Sequence, residues 1–432
     1  MAGIGRVLPA HTHPLRQSLA DELHARPPVP LAAPARVLHF ALLGNPAGGN
    51  PLRDLAVAQA LPAPEAGARH AVLRLAGCSV IQERRTEFTT YTLYLPRQTG
   101  SAPDAETALP APLAAWIQAL PGELIAAADL TILAADEAAP DAVLLARLFD
   151  ENALVGSRAV SGRADIWADF KLDQGGVRLL VQDRGLTDAQ RGRLVLRLLD
   201  IESYRMMALL ALPLAQRVAP RITALEQGLA KLAGRMVDVE HQESEQTLLR
   251  EIAGAAAEVE TLAVDTPFRF GAARAYHALV VRRIEELREQ RIEGLPTLGE
   301  FMERRLSPAM RTCETMADRI EGLSRRATRM ANLLRTRVDV ALERQNVAQL
   351  DAMNRRLKIQ LRLQETVEGL SVAAITYYAV GLVGYAAQAL HAVGVPIHKE
   401  LAIGIAIPLI AGAVWLGIRR LRRALQKEGG AH

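Results

Sequence analysis

Two charge-free apolar runs lie close together near the C-terminus, and few sequence features restrict the possible architectures of a chain more. Residues 369–390 (GLSVAAITYYAVGLVGYAAQAL) and 401–418 (LAIGIAIPLIAGAVWLGI) contain no Asp, Glu, Lys or Arg. A helix rises about 1.5 Å per residue and needs about 20 apolar residues to cross a hydrocarbon core, so the first run spans and the second just reaches. Arg355, Arg356, Lys358 and Arg362 precede the first run, and Arg419, Arg420, Arg422, Arg423 and Lys427 follow the second. The link between them, 391–400, adds only the offsetting pair Lys399 and Glu400. Basic flanks mark the cytoplasmic side, so the expectation is a membrane hairpin with both termini in the cytoplasm.

Removing that hairpin and its tail leaves residues 1–368, enough for one large or two medium soluble units. Aromatic residues make up only 4% of the chain, so its core must come from Ala, Leu and Val, and helix is the expected dominant element. The formal charge of +4 resides mainly in the clusters beside the apolar runs. That placement points to anionic lipid headgroups, met by Arg419, Arg420, Arg422 and Arg423, rather than to nucleic acid. Cys78 and Cys313 form no CxxC pair and suit a reducing compartment. The first 28 residues are polar and proline-punctuated, without the unbroken apolar stretch of an export signal.

The periodicity suggests an α+β cytoplasmic domain, then a long, coiled-coil-like helical region, then the hairpin. Residues 1–34 read as a proline-rich arm that straps onto the next domain. Residues 35–185 read as a mixed α/β domain, with strand patterns at 36–43, 71–76, 78–95, 130–135 and 177–183 and helices at 111–120 and 141–149. Alternating Phe, Thr and Tyr from Glu87 to Leu95 predict a half-buried antiparallel strand. Residues 186–368 read as helical throughout, opening on an N-cap at Thr187, with Pro213 and Pro220 able to kink or end the first helix and further helices at about 221–263 and 268–292. After Pro308 no proline occurs until Pro396. Apolar residues recur at Met316, Ile320, Leu323, Ala327, Met330 and Leu334, and again at Val338, Leu342, Leu350, Met353, Leu357 and Leu361, which predicts a helix-packing seam. A helix over 309–368 would be a rod of about 90 Å feeding the first span. The remaining boundaries are transmembrane helix 369–392, outer loop 393–400, transmembrane helix 401–418 and basic cytoplasmic tail 419–432.

Several groups have the composition of chemical sites. His11, His13 and His24, with Asp21 and Glu22, offer metal-capable atoms, but only His11 and His13 form a close pair, and surface or strand-cap histidines explain them without an ion. Glu83, Arg84, Arg85 and Glu87 with Asp165 and Asp169 have the makings of an acid/base pair, or of strand-face salt bridges. Asp200 and Tyr204 share a helix face beside Glu202 and Arg205, which favours a structural ion pair at a domain interface. No phosphate-binding, dinucleotide, zinc-protease or serine-hydrolase motif occurs, so no catalytic residue is assigned, the chain reads as a non-enzyme and no cofactor is called for. In the first span, Thr376, Tyr377, Tyr378, Gly381, Gly384, Tyr385 and Gln388 gather small and hydrogen-bonding groups that suit either a packing face or the lining of a pore. Pro408 can kink the second span, and Trp415 fits an interfacial anchor. Two spans enclose no conduit alone, so a pore implies a homo-oligomer.

Five segments, HPLRQSLADELHARPP (13–28), RRTEFTTYT (84–92), IWADF (166–170), GRLVLRLLDIESYRMMALLALPLA (192–215) and VEGLSVAAITYYAVGLVGY (367–385), resemble an uncharacterised proteobacterial family of predicted membrane-anchored proteins, a domain of unknown function. That resemblance implies the bacterial inner membrane and supplies no reaction. More distantly, the order of parts is similar to CorA-type divalent-cation transporters, which implies a pentamer and a divalent cation. The Gly-Met-Asn filter of those transporters is replaced here by Gly384-Tyr385-Ala386. Three readings therefore stand: a CorA-like homo-oligomer that transports or senses an ion, a membrane-tethered scaffold whose hairpin only anchors, and a membrane-bound enzyme built around Glu87, Asp169 and Asp200.

Overall fold

The computed structural model describes residues 13–17, 19–20, 28–44, 49–65, 67–103, 109–173, 175–238, 242–392 and 399–428. The chain divides into two compact units, one made of Met1–Val239 and Thr247–Ala331, the other of Glu240–Gln246 and Asn332–His432.

In the first unit, the strands β1 (Ala35–Leu43), β2 (His70–Leu75), β3 (Cys78–Arg84), β4 (Phe88–Pro96), β5 (Glu123–Leu133), β6 (Val155–Ala159), β7 (Ala164–Asp173), β8 (Gly176–Asp183) and β9 (Gln290–Arg291) form one sheet. Their order is β2-β3-β4-β1-β5-β8-β7-β6-β9. Every neighbouring pair is antiparallel except β5 and β8, so the sheet is mixed and the fold is α+β. Helices α1 (Pro51–Ala58), α2 (Ala111–Gln118) and α3 (Ala142–Leu148) join the strands. The core under α1 and α2 gathers Leu52, Leu55, Leu73, Val80, Leu93 and Leu113, and that under α3 gathers Leu133, Phe149, Trp167 and Leu180.

Helix α4 (Asp188–Leu209) begins where the sequence predicts, at a capping box in which Thr187 and Gln190 satisfy each other's backbone N–H. Buried side chains occur around most of its circumference, from Leu194 and Val195 to Tyr204 and Met207, because it packs against both the sheet and α7 (Pro267–Leu287). Gly192 permits a close approach: a Cβ there would sit 2.0 Å from the Val29 carbonyl oxygen. The arm residues nearby are fastened by Leu31 N–H donating to the Asp188 carbonyl (3.1 Å) and by Arg191 donating to the Leu31 carbonyl (2.5 Å). These contacts hold the described end of the arm against α4 as a strap.

Four expectations need correction. The stretch 78–95 is two strands joined by a turn, in which Arg85 N–H donates to the Phe88 carbonyl (2.8 Å). Strand β4 is antiparallel but not half-buried: Phe88 to Leu95 are buried on both faces, since helices cover both sides of the sheet and its threonines and tyrosines point inward as well. Strands β6 and β7 carry no signal strong enough to have been predicted, and β9 interrupts the region expected to be wholly helical. Finally, the helix expected at 221–263 is two, α5 (Ala211–Asp238) and α6 (Gln242–Asp265); Pro213 marks the start of α5 whereas Pro220 lies inside it. Helix α8 (Leu298–Arg305) completes this series, opened by a second capping box at Thr297 and Glu300.

Helix α9 (Ser307–Ala392) is a single uninterrupted helix of 86 residues. The first six seam positions, Met316 to Leu334, are buried as expected, whereas Leu342, Leu350, Met353, Leu357 and Leu361 are exposed. In the second unit, α9 is joined by α10 (Lys399–Glu428), and both contain a stretch long and apolar enough to cross a membrane. Only 11% of the first stretch and 0% of the second is buried. Gly384 sets their close approach, since a Cβ there would lie 3.2 Å from Ile403 Cδ1.

Candidate functional site

A polar cluster of the first unit lies between the β3–β4 turn, α4 and α7. Arg85 Nη2 donates to Glu83 Oε2 at 2.8 Å and to Asp200 Oδ1 at 3.2 Å. Arg283 Nε donates to the other oxygen, Asp200 Oδ2, at 2.9 Å, and its Nη1 reaches Glu286, which also accepts from Arg197 Nε at 3.1 Å. The Arg85 guanidinium lies 5.4 Å from the Tyr204 ring centroid, and Tyr204 stacks on Tyr276 with its edge to Phe88. Burial pushes the Tyr204 hydroxyl up to about 12, with the Asp200 charge adding to the shift. Burial works against the charge of Arg85, but Tyr204, Asp200 and Glu83 more than offset it, so this arginine stays protonated. Three elements distant in sequence are thereby tied together through one carboxylate, Asp200.

Beside this cluster, His39 on β1 contacts Thr92 Oγ1 through Nδ1 and Ser203 Oγ through Nε2, each at 2.8 Å. Burial, assisted by the charge of Arg85, lowers its pKa to about 3, so the ring is neutral and donates at one nitrogen while accepting at the other. A serine hydroxyl on a histidine is the start of a nucleophilic dyad, but the opposite nitrogen faces a hydroxyl rather than an orienting carboxylate. The adjoining cavity, bounded by His70, Glu83, Thr90, Tyr94 and the strap residues Pro28 and Val29, has room of ≈ 20 Å³, enough for one water. No substrate fits beside Ser203, and the arrangement is a satisfied polar core.

The other sequence candidates are dispersed. Asp165 accepts from Arg158 (2.9 Å) and Arg184 (2.6 Å), while Asp169 accepts from Asn152 (2.9 Å). Their strand, β7, is five places from β3 in the sheet, about 24 Å at the usual strand spacing, so Glu83, Arg84, Arg85 and Glu87 share no acid/base site with them. Glu87 pairs with Arg269 (2.9 Å). Arg205 pairs with Glu202 rather than Asp200, through two bonds of 2.6 and 2.9 Å. The strand-face and interface ion pairs are what forms. Sequence reasoning missed His39, Ser203, Arg197, Arg283 and Glu286; for His39 the available signal was a lone polar residue inside an apolar strand.

His11 and His24 lie outside the described residues. His13 is exposed, and its Nδ1 accepts from the Leu15 N–H at 3.2 Å, which makes it a local cap. Among the described residues, no three His, Cys, Asp or Glu side chains lie together as a metal site.

In the second unit, Tyr377, Tyr378 and Tyr385 are 76%, 72% and 75% exposed, and Gly381 and Gln388 are exposed as well. With Thr376, Gly381, Gly384 and Ile403 the tyrosines bound an open cavity of ≈ 850 Å³ between α9 and α10. Thr376 Oγ1 is shielded from solvent and has no hydrogen-bond partner among the described residues. The Arg419 guanidinium lies 4.9 Å from the Trp415 ring centroid, and Arg420 is exposed, while the side chains of Arg422 and Arg423 fall outside the described residues.

No curated protein matches the chain. A family model described as "Protein of unknown function (DUF3422)" matches residues 11–425, nearly the whole length, and the chain belongs to that family.

Proposed function

We propose that this protein is a homo-oligomeric anchor of the bacterial inner membrane, which holds its α+β unit at the cytoplasmic surface through the α9–α10 hairpin. The observation that carries the reading is the composition of α9: one helix presents an exposed apolar row, Leu342, Leu350, Met353, Leu357 and Leu361, and then a charge-free run with little of its surface buried. Steps of eight, three, four and four residues keep that row on one helix face, where a second copy covers it. The charge-free run needs lipid, and the basic residues at both ends of the hairpin favour cytoplasmic termini. Alkaline carbonate extraction should leave the intact chain in the pellet, and light scattering of the detergent-solubilised protein should give a multiple of the chain mass. Release into the supernatant would sink the anchor, and a monomer would sink the oligomer.

One observation favours a second, conducting reading. The shielded hydroxyl of Thr376 beside a tyrosine-lined cavity suits a ring in which first spans face a shared axis. The order of parts distantly resembles CorA-type transporters, but Gly384, which the resemblance sets near the position of their filter, packs closely against Ile403. The anchor is therefore preferred over a magnesium filter. Cation flux into proteoliposomes that vanishes in Tyr378→Leu would reverse that preference.

A further inference from the structure

At the end of the hairpin where the apolar runs give way to charge, α9 and α10 enclose a cleft of ≈ 390 Å³. Its α9 wall carries Glu365 and Glu368, one helical turn apart on one face, above Gly369 and Val372. Its α10 wall carries Trp415, Ile418 and Arg419. The volume lies within the range of small-molecule sites, about 300–1,000 Å³. One wall is thus anionic, the other cationic and aromatic, and the floor is apolar.

Arg419 stacks on Trp415 and forms no ion pair among the described residues, although two carboxylates line the same cleft. A guanidinium held within cation–π distance of an indole keeps its planar fork of N–H donors, which matches phosphate oxygens. Glu365 and Glu368 already take part in interactions within the chain, but an ionised carboxylate has about four acceptor positions and accepts further donors.

We infer that this cleft binds the headgroup of a zwitterionic aminophospholipid, with the phosphate on Arg419, the primary ammonium on Glu365 and Glu368, and the glycerol region against Trp415. A primary ammonium has three N–H donors for the carboxylates, whereas a quaternary choline has none and calls for an aromatic cage, which one indole does not make. An anionic headgroup without an amine would satisfy Arg419 and be repelled by the glutamates. This assignment rests on the membrane-anchor reading, which places both walls at the depth of the headgroups.

The test uses the full chain, released from nanodiscs of equal parts phosphatidylethanolamine, phosphatidylcholine and phosphatidylglycerol, with retained lipids counted by native mass spectrometry. Phosphatidylethanolamine should exceed phosphatidylcholine by about tenfold, the ratio that one charge-assisted hydrogen bond of about 1.4 kcal/mol supplies. Glu365→Gln with Glu368→Gln should bring that ratio to near one, while the double Asp variant keeps most of it. Arg419→Gln should lower retention of both zwitterionic lipids, and Arg419→Lys should restore part of it. An unchanged thermal transition of the first unit identifies variants that fold. Equal retention of the three lipids by the wild-type chain overturns the inference while leaving the anchor intact. Displacement of bound lipid by soluble phosphoethanolamine at equal concentration overturns the lipid as ligand. Failure of the chain to enter nanodiscs overturns both readings at once.

Discussion

The two units put their polar and apolar groups in opposite places. In the first, charges are paired and withdrawn from solvent: Glu83 and Asp200 are buried, Arg85, Arg283 and Glu286 are half-buried, and the five form a continuous chain of contacts between the β3–β4 turn, α4 and α7. In the second, large apolar side chains are exposed along α9 and α10. A buried ion pair contributes little net stability but is costly to break, because the surviving partner is left desolvated. An exposed apolar row stabilises nothing in the isolated chain and becomes favourable only when lipid or another copy covers it. The first unit therefore depends on its own interior, and the second on its surroundings.

That contrast breaks first at Arg85. Arg85→Ala strands Glu83 and one oxygen of Asp200 beside Arg283, and should cost the first unit about 3–5 kcal/mol in denaturant unfolding. A loss below about 1 kcal/mol, the range of exposed pairs, would mean that the cluster is effectively solvated. Next is Gly192→Ala, whose methyl would collide with the Val29 carbonyl at 2.0 Å and must displace the strap. The expected cost is about 1–3 kcal/mol, with faster proteolysis in the arm; wild-type stability would show that the strap is not seated on α4.

The buried His39 sharpens the comparison by pH. Its folded pKa, about 3, lies below the ordinary 6.5, so the unfolded chain takes up a proton that the folded chain refuses. Its contribution is complete above pH 6.5 and drains away as pH falls towards about 3, at up to about 1.4 kcal/mol per pH unit. His39→Gln should flatten that part of the stability profile, measured by denaturant midpoints from pH 7 to 4. An unchanged slope would assign the acid sensitivity elsewhere.

Legibility in the sequence followed the same division. The two apolar stretches of α9 and α10 were readable because an uninterrupted apolar composition is a local signal that a linear pattern records directly. In the first unit, β1, β2, β8 and the start of α4 were readable from alternation and from the Thr187 cap, which are local signals. The burial of β4 on both faces was not, because Thr89, Thr90 and Thr92 look solvent-facing until helices are known to cover both sides of the sheet. Asp200 could be recognised as needing a partner, and Arg85 lay in a segment already marked. Arg283 sits 83 residues further on, and only the packing of α7 on α4 brings it to the same carboxylate. Alternation also failed at β7, where the pairing slips between Ala168 and Leu172 and Phe170 has φ 53°, the left-handed region that an aromatic residue seldom adopts.

The smallest effect on stability should come from the exposed row of α9, and it tests the comparison from the other side. Leu350, Met353 and Leu357 are 59%, 59% and 53% exposed, so replacing all three by Ser removes little buried surface from the chain itself. Each exposed change should move the unfolding of the first unit by no more than about 0.5 kcal/mol. The same triple variant strips the face that a second copy would cover, and the mass of the solubilised protein should drop towards that of one chain. If the mass is unchanged and the first unit loses several kcal/mol, the row is an internal packing surface, and the division between a self-sufficient unit and a dependent one fails.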